Sequence, residues 1–155
     1  MAEASITKRL SAHLNEVYFV FSRLPKQLSG IAKVLTVTYW RDLFTARAQA
    51  LHEHRQKLLT TLRSWGVRPA PCTCEEASHH LNDLRHTAKA NRGMNVVLER
   101  AMRSTRKLGT LVRSRLSEAM HLARSIRENE LAHELEQLLD MEKDAQSLLQ
   151  DELQK

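Results

Sequence analysis

The stretch from Gly93 to Lys155 most constrains the fold, because its apolar spacing runs almost unbroken while its charge divides in two. Residues 88–127 carry ten Lys/Arg against Glu99 and Glu118, a net of +8. Residues 128–155 carry nine Asp/Glu against Lys143 and Lys155, a net of −7. Met94, Val97, Ala101, Thr105, Leu108, Val112, Leu116, Ala119, Leu122 and Ile126 recur at three- and four-residue steps, which keeps one face of a helix apolar. This is helix C. Helix D continues the spacing with Leu131, Leu135, Leu138, Glu142, Ala145 and Leu149. Two long helices of opposite charge, joined near Arg127–Asn129, predict a hairpin whose members attract.

The rest of the chain packs against that hairpin. Ser5 is the candidate N-cap of helix A, followed by Ile6, Leu10, Leu14, Val17, Phe21, Leu24, Leu28, Ile31 and Leu35. Pro25 falls inside this helix, where its missing N–H predicts a kink. The β-branched stretch Val34–Tyr39 is the candidate turn. From about Trp40, helix B carries Leu43, Phe44, Ala48, Leu51, Arg55, Leu58, Leu62 and Trp65 on one face. It stops at Gly66, with Pro69 and Pro71 behind it, the paired stop signals of a residue free to take φ > 0 and a residue without a donor. A short helix over roughly Glu75–Ala90 buries Ala77, Leu81 and Leu84, and Asn91-Arg92-Gly93 breaks the chain before helix C. With four Gly and three Pro in 155 residues and 42% hydrophobic residues, the chain reads as one helix-rich domain, residues 1–155. Matched long helices and short joints predict an all-α, up-down-up-down four-helix bundle with a short extra helix between B and C.

Several function classes are excluded or weakened. No apolar run of the length that spans a bilayer is present, and the first residues do not read as a secretory signal, so no membrane partner is expected. Cys72 and Cys74, separated by one residue, make a strained disulfide pair, which favours a reduced cytoplasmic protein. Nucleophile elbow, P-loop, dinucleotide fingerprint and HExxH are all missing, so no catalytic residue is assigned. His52, Glu53 and His54 do not make a metal motif, because histidines two apart point to different sides of a helix. Cys72, Cys74, His79, His80 and His86 form a Cys/His cluster without a standard zinc spacing. Arg103, Arg106, Lys107 and Arg113 spread around helix C without aromatic residues between them, which weakens a nucleic-acid reading of the basic block.

Glu142 falls on the apolar stripe of helix D, where a carboxylate is costly without a partner. It is expected to sit at the edge of the stripe or to pair with an arginine of helix C. Leu24-Pro25-Lys26, the helix B segment LFTARAQALHEHRQKL (43–58), the Pro-Cys entry to the short helix and ELAHELEQLLDMEKDAQSL (130–148) together resemble the ferritin-like family typified by the bacterial stress proteins YciE and YciF. The resemblance covers nearly the whole chain. It implies a ferritin-like bundle whose metals are held by inward Glu residues and Glu-x-x-His pairs. Carried over residue by residue, helix A offers Val17, with Glu16 rotated away; helix B offers Gln49 and His52; helix C offers Gly109 and Val112; helix D keeps Glu142 but has Gln146 one turn later. A pair of divalent metals needs several anionic oxygens, and this set is too poor in them. The carry-over adds His52 as an expected partner of Glu142.

Gln49, His52 and Glu142 are therefore vestigial metal candidates, and no cofactor is expected. The resulting expectation is a non-enzymatic, homodimeric ferritin-like bundle, a stress-linked interaction or scaffold protein that has lost its di-metal centre. An iron- or manganese-dependent oxidase or iron-handling protein with an atypical site is the first alternative. A non-specific nucleic-acid binder acting through basic helix C is the second. The sequence names no small-molecule ligand.

Overall fold

The computed structural model describes residues 2–72, 74–90 and 92–153, with side chains described as far as Ser147. Five helices follow in order: α1 (Ala2–Val34), α2 (Thr38–Ser64), α3 (Glu75–Lys89), α4 (Met94–Ser125) and α5 (Asn129–Leu153). Helix A of the sequence is α1, B is α2, C is α4 and D is α5. Ser5 lies within α1 instead of capping it, and the helix stays continuous through Pro25, which is buried. The turn before α2 is shorter than Val34–Tyr39, since only residues 35–37 leave helical geometry. Arg41 fastens it by donating from Nε and Nη2 to the Leu35 carbonyl at 3.2 and 2.8 Å.

The apolar stripes dictate how the helices assemble. Leu10, Leu14, Val17, Phe21, Leu24, Leu28 and Ile31 of α1 enter one core with Phe44, Leu51, Leu58 and Leu62 of α2, Leu108, Val112 and Leu116 of α4, and Leu131, Leu135 and Leu138 of α5. Helix α1 packs on α2 and α4, and α5 closes the ring by packing on the same two helices. The short α3 lies outside the ring, on α1 and α4. Ion pairs fix the directions. Glu16 with Arg115 and His13 with Glu118 set α1 against α4, and Lys57 with Glu134 sets the register of α2 on α5. Thr36 Oγ1 lies 3.3 Å from the sulfur of Met94, so α4 starts beside the α1–α2 turn.

Direction alternates through all five helices, so the four long ones taken alone run up, down, down, up. The expected up-down-up-down order holds only when α3 is counted. That short helix carries the chain back, with Ala70 N donating to Asn15 Oδ1 at its lower end and Ala88 beside Gly30 at its upper end. The charge-split hairpin forms, but not through a ladder of ion pairs. Among the described residues, Arg124–Glu136 at 3.1 Å is the pair that joins α4 to α5, and both side chains are solvated. Such a pair is worth about 0–1 kcal/mol. Apolar burial holds the hairpin together.

Two helix ends share one hydrogen-bond pattern. At the end of α2, Gly66 N donates to Arg63 O at 3.0 Å and Val67 N to Leu62 O at 2.9 Å. At the end of α4, Arg127 N donates to Arg124 O at 3.1 Å and Glu128 N to Ala123 O at 2.9 Å. Both are Schellman motifs, which place one residue in the left-handed region. Gly66 has φ 81° and Arg127 has φ 62°. Only the second bears the steric cost of a Cβ there. Urea denaturation should therefore show Gly66→Ala losing about 1 kcal/mol and Arg127→Gly gaining a similar amount.

Candidate functional site

At mid-height of the ring, α2 and α5 bring three ionisable side chains into the core. Glu142 has 0% exposure, Arg47 5% and His54 4%. Arg47 Nη2 donates to Glu142 Oε2 at 3.0 Å, and His54 Nδ1 forms a short hydrogen bond to Oε1. Both carboxylate oxygens thus have a partner on α2. Phe21 of α1 packs against the His54 ring, with centroids 6.0 Å apart and planes inclined at 60°. One turn beyond Glu142, Gln146 is also buried, at 3% exposure. Its Oε1 fills the space where a side chain at Gly109 would begin: a Cβ built there would lie 2.7 Å from that oxygen and 3.2 Å from Arg113 Nη1. Arg47 Nε and Nη1 and both amide atoms of Gln146 are buried with no protein partner.

Glu142 sits on the core face, as the stripe predicts, and Gln146 beside it at a position that the resemblance alone pointed to, while Gln49 and His52 are exposed and take no part. The reason is rotational. At about 100° per residue, Arg47 and His54 lie within about 60° of Leu51 at the centre of the buried stripe, whereas His52 lies about 100° and Gln49 about 160° away. Arg55 lies about 40° from Leu51 on the other side of the stripe and is only half-buried. Its guanidinium instead reaches Tyr18 Oη at 2.8 Å and Ser22 Oγ at 3.2 Å. The partners of Glu142 are therefore Arg47 and His54, not His52 or an arginine of helix C. Val17, Gly109 and Val112 are buried and offer no donor side chain, and Glu16 points away to Arg115.

This donor set does not fit a pair of divalent metals. A single carboxylate is present, a guanidinium already hydrogen-bonds one of its oxygens and an imidazole the other. Two divalent ions would have to sit beside a fixed cation without the anionic oxygens that offset their charge. What the arrangement can do is hold three buried polar side chains in one geometry.

Elsewhere, the Cys/His cluster of the sequence does not assemble. Cys74 is buried at the entry to α3, and the Cys72 thiol donates to Asn15 O at 3.3 Å. Burial, then the Glu16 carboxylate and Cys74, push the Cys72 thiol above its ordinary pKa, which keeps it protonated and unreactive at neutral pH. His79 and His80 lie together with Asp83 on the outer face of α3.

No family model matches the sequence, and no curated protein matches it. Solved structures do. The E. coli stress protein YciF superimposes with a TM-score of 0.85 at 15% identity, over 94% of this chain and 92% of that one. The fold is that of YciF. YcfI of Rhodopseudomonas palustris, provisionally described as a structural protein, matches with a TM-score of 0.83 at 15% identity over the same shares of both chains. The ferritin-like, YciF-like bundle implied by the resemblance is thus the architecture of this chain over 94% of its length.

Burial by itself would push the Glu142 carboxyl up, but the hydrogen bond from His54 and the charge and hydrogen bond of Arg47 outweigh it and hold the group below its ordinary 4.5. A group whose folded pKa is depressed stabilises the fold above its unfolded pKa and loses that contribution as pH falls through the folded value. Wild-type stability in urea should therefore hold steady above about pH 5 and decline in acid. Glu142→Gln, with nothing to protonate at that position, should start lower and show a flatter acid limb.

Proposed function

We propose that this protein is a non-enzymatic ferritin-like bundle in which a guanidinium, carboxylate and imidazole cluster has taken the place of the di-metal centre. In this reading it acts as an interaction or scaffold protein in a stress response. One observation carries the proposal: both oxygens of Glu142, the inward carboxylate of helix D, are engaged by Arg47 and His54. A guanidinium cannot be deprotonated at accessible pH, so the positive charge beside Glu142 is permanent. The role as a stress-linked or structural protein is supported by what YciF and YcfI are called, and by a Glu142 carboxylate whose two oxygens are both engaged. The same saturation of Glu142 argues against an oxidase or iron-handling role. A nucleic-acid role through α4 draws little support from its surface, since Arg103, Arg115 and Arg124 engage Glu99, Glu16 and Glu136.

The test combines metal analysis with stability. Purified protein should carry iron and manganese far below one ion per chain, and near-stoichiometric content of either would overturn the proposal. Removing one partner leaves a buried charge unpaired, so Glu142→Leu alone and Arg47→Met alone should each cost about 3–5 kcal/mol. Arg47→Met combined with Glu142→Leu should recover the wild-type value or exceed it by up to about 1–4 kcal/mol, because the orphaned Arg47 donors leave with the charge.

A further inference from the structure

Helix α3 carries an unusual donor stripe. On the helical wheel, at about 100° per residue, Asp83 falls between His79 and His80, and so does Glu76 from the other side. Glu76, His79, His80 and Asp83 therefore occupy one face at the one-turn and two-turn spacings that let side chains meet. The structure shows that His79, His80 and Asp83 do meet. One ligand atom from each lies within 4.8 Å of the others. His79 Nε2 is 3.6 Å from Asp83 Oδ2, and the two imidazole rings stand edge to face with centroids 5.3 Å apart. Glu76 shares the wall of a neighbouring cavity with His80.

We propose that this face of α3 is a binding site for a borderline divalent transition ion such as Zn²⁺, Ni²⁺ or Cu²⁺, held by His79, His80 and Asp83. Two donors on one tetrahedral ion, each about 2.1 Å from it, stand about 3.4 Å apart. The three groups are already close to that spacing, and His79 and Asp83 are exposed enough to close the remaining gap by side-chain rotation. Imidazole nitrogen with carboxylate oxygen selects these ions over Ca²⁺ and Mg²⁺, which take oxygen alone. Glu76 adds a carboxylate one turn from His80, and the remaining coordination positions face solvent. Arg106, Lys107 and Arg115 of α4 line the adjoining cavity and oppose the ion's charge, so affinity is moderate rather than that of a structural zinc site. The thiols of Cys72 and Cys74 belong to another environment and take no part.

The site is separate from the core cluster, and its test uses different ions. Titration of tag-free, full-length protein with ZnCl₂ in a calorimeter should show saturable binding of one ion per chain. His79→Ala and His80→Ala, both at exposed or half-exposed helix positions where alanine is well tolerated, should each weaken binding at least about tenfold. Cys72→Ser with Cys74→Ser should leave it unchanged. Co²⁺ in place of Zn²⁺ should give visible d–d bands without the near-ultraviolet charge-transfer band of a thiolate ligand. Absence of saturable Zn²⁺ binding, retention of full affinity in both histidine variants, or a thiolate band in the cobalt spectrum would each overturn the site.

Discussion

Glu142 remains ionised in the centre of the bundle because Arg47 and His54 meet both of its oxygens, and the pairing of α2 with α5 depends on that contact. The partners are far apart in the chain, 95 and 88 residues from Glu142, so nothing local brings them together. Sliding α5 by one turn against α2 would move the carboxylate about 5.4 Å and strand three ionisable groups in an apolar layer. Stranding a buried charge costs several kcal/mol, whereas the Leu-rich stripes on either side would repack with far less penalty. A buried ion pair adds little net stability, yet it sharply penalises every register but one. In this bundle the polar layer sets alignment and the apolar layers supply the driving force.

At 15% identity the likeness to YciF is one of fold alone. The four-helix ring requires unbroken apolar stripes and the return of the chain through α3. The chemistry at mid-height is free, since fold alone does not dictate a site. Here Val17 and Val112 fill with methyl groups, and Gly109 leaves room for the Gln146 amide. The layer is a packed polar junction with an arginine where a metal-binding core would need anionic oxygen.

Much of the fold was readable from residue spacing, because buried stripes of Leu, Ile, Val and Phe leave a strong helical period. Gly66 and the prolines behind it mark the end of α2 through backbone geometry alone, and the structure places Gly66 at positive φ. The matching cap at Arg127 carries no such signal, because arginine tolerates that conformation only at a cost and is not selected for it. Glu142 was legible as a carboxylate on an apolar stripe. Its partners were not, since a Gln-x-x-His pair at Gln49 and His52 imitates the family spacing, while Arg47 looks like an ordinary surface cation. Rotation about Leu51 rules out Gln49 and His52 but leaves Arg47, His54 and Arg55 near the core, and of these Arg47 and His54 are the ones that packing buries. The charge split between α4 and α5 was equally visible, but net charge does not say which side chains meet, and most cross-helix pairs join other helices.

The placement of α3 outside the ring has a dynamic consequence. It touches α1 and α4 alone and buries only Ala77, Leu81, Leu84 and Thr87. The long helices close their core through α1–α2, α1–α4, α4–α5 and α2–α5 contacts, none of which passes through it. Releasing α3 would therefore break none of the contacts that close the ring, so α3 is expected to open at a lower free energy than the ring itself. Backbone amides of α3 are then expected to exchange with solvent through this partial opening, ahead of those around Glu142.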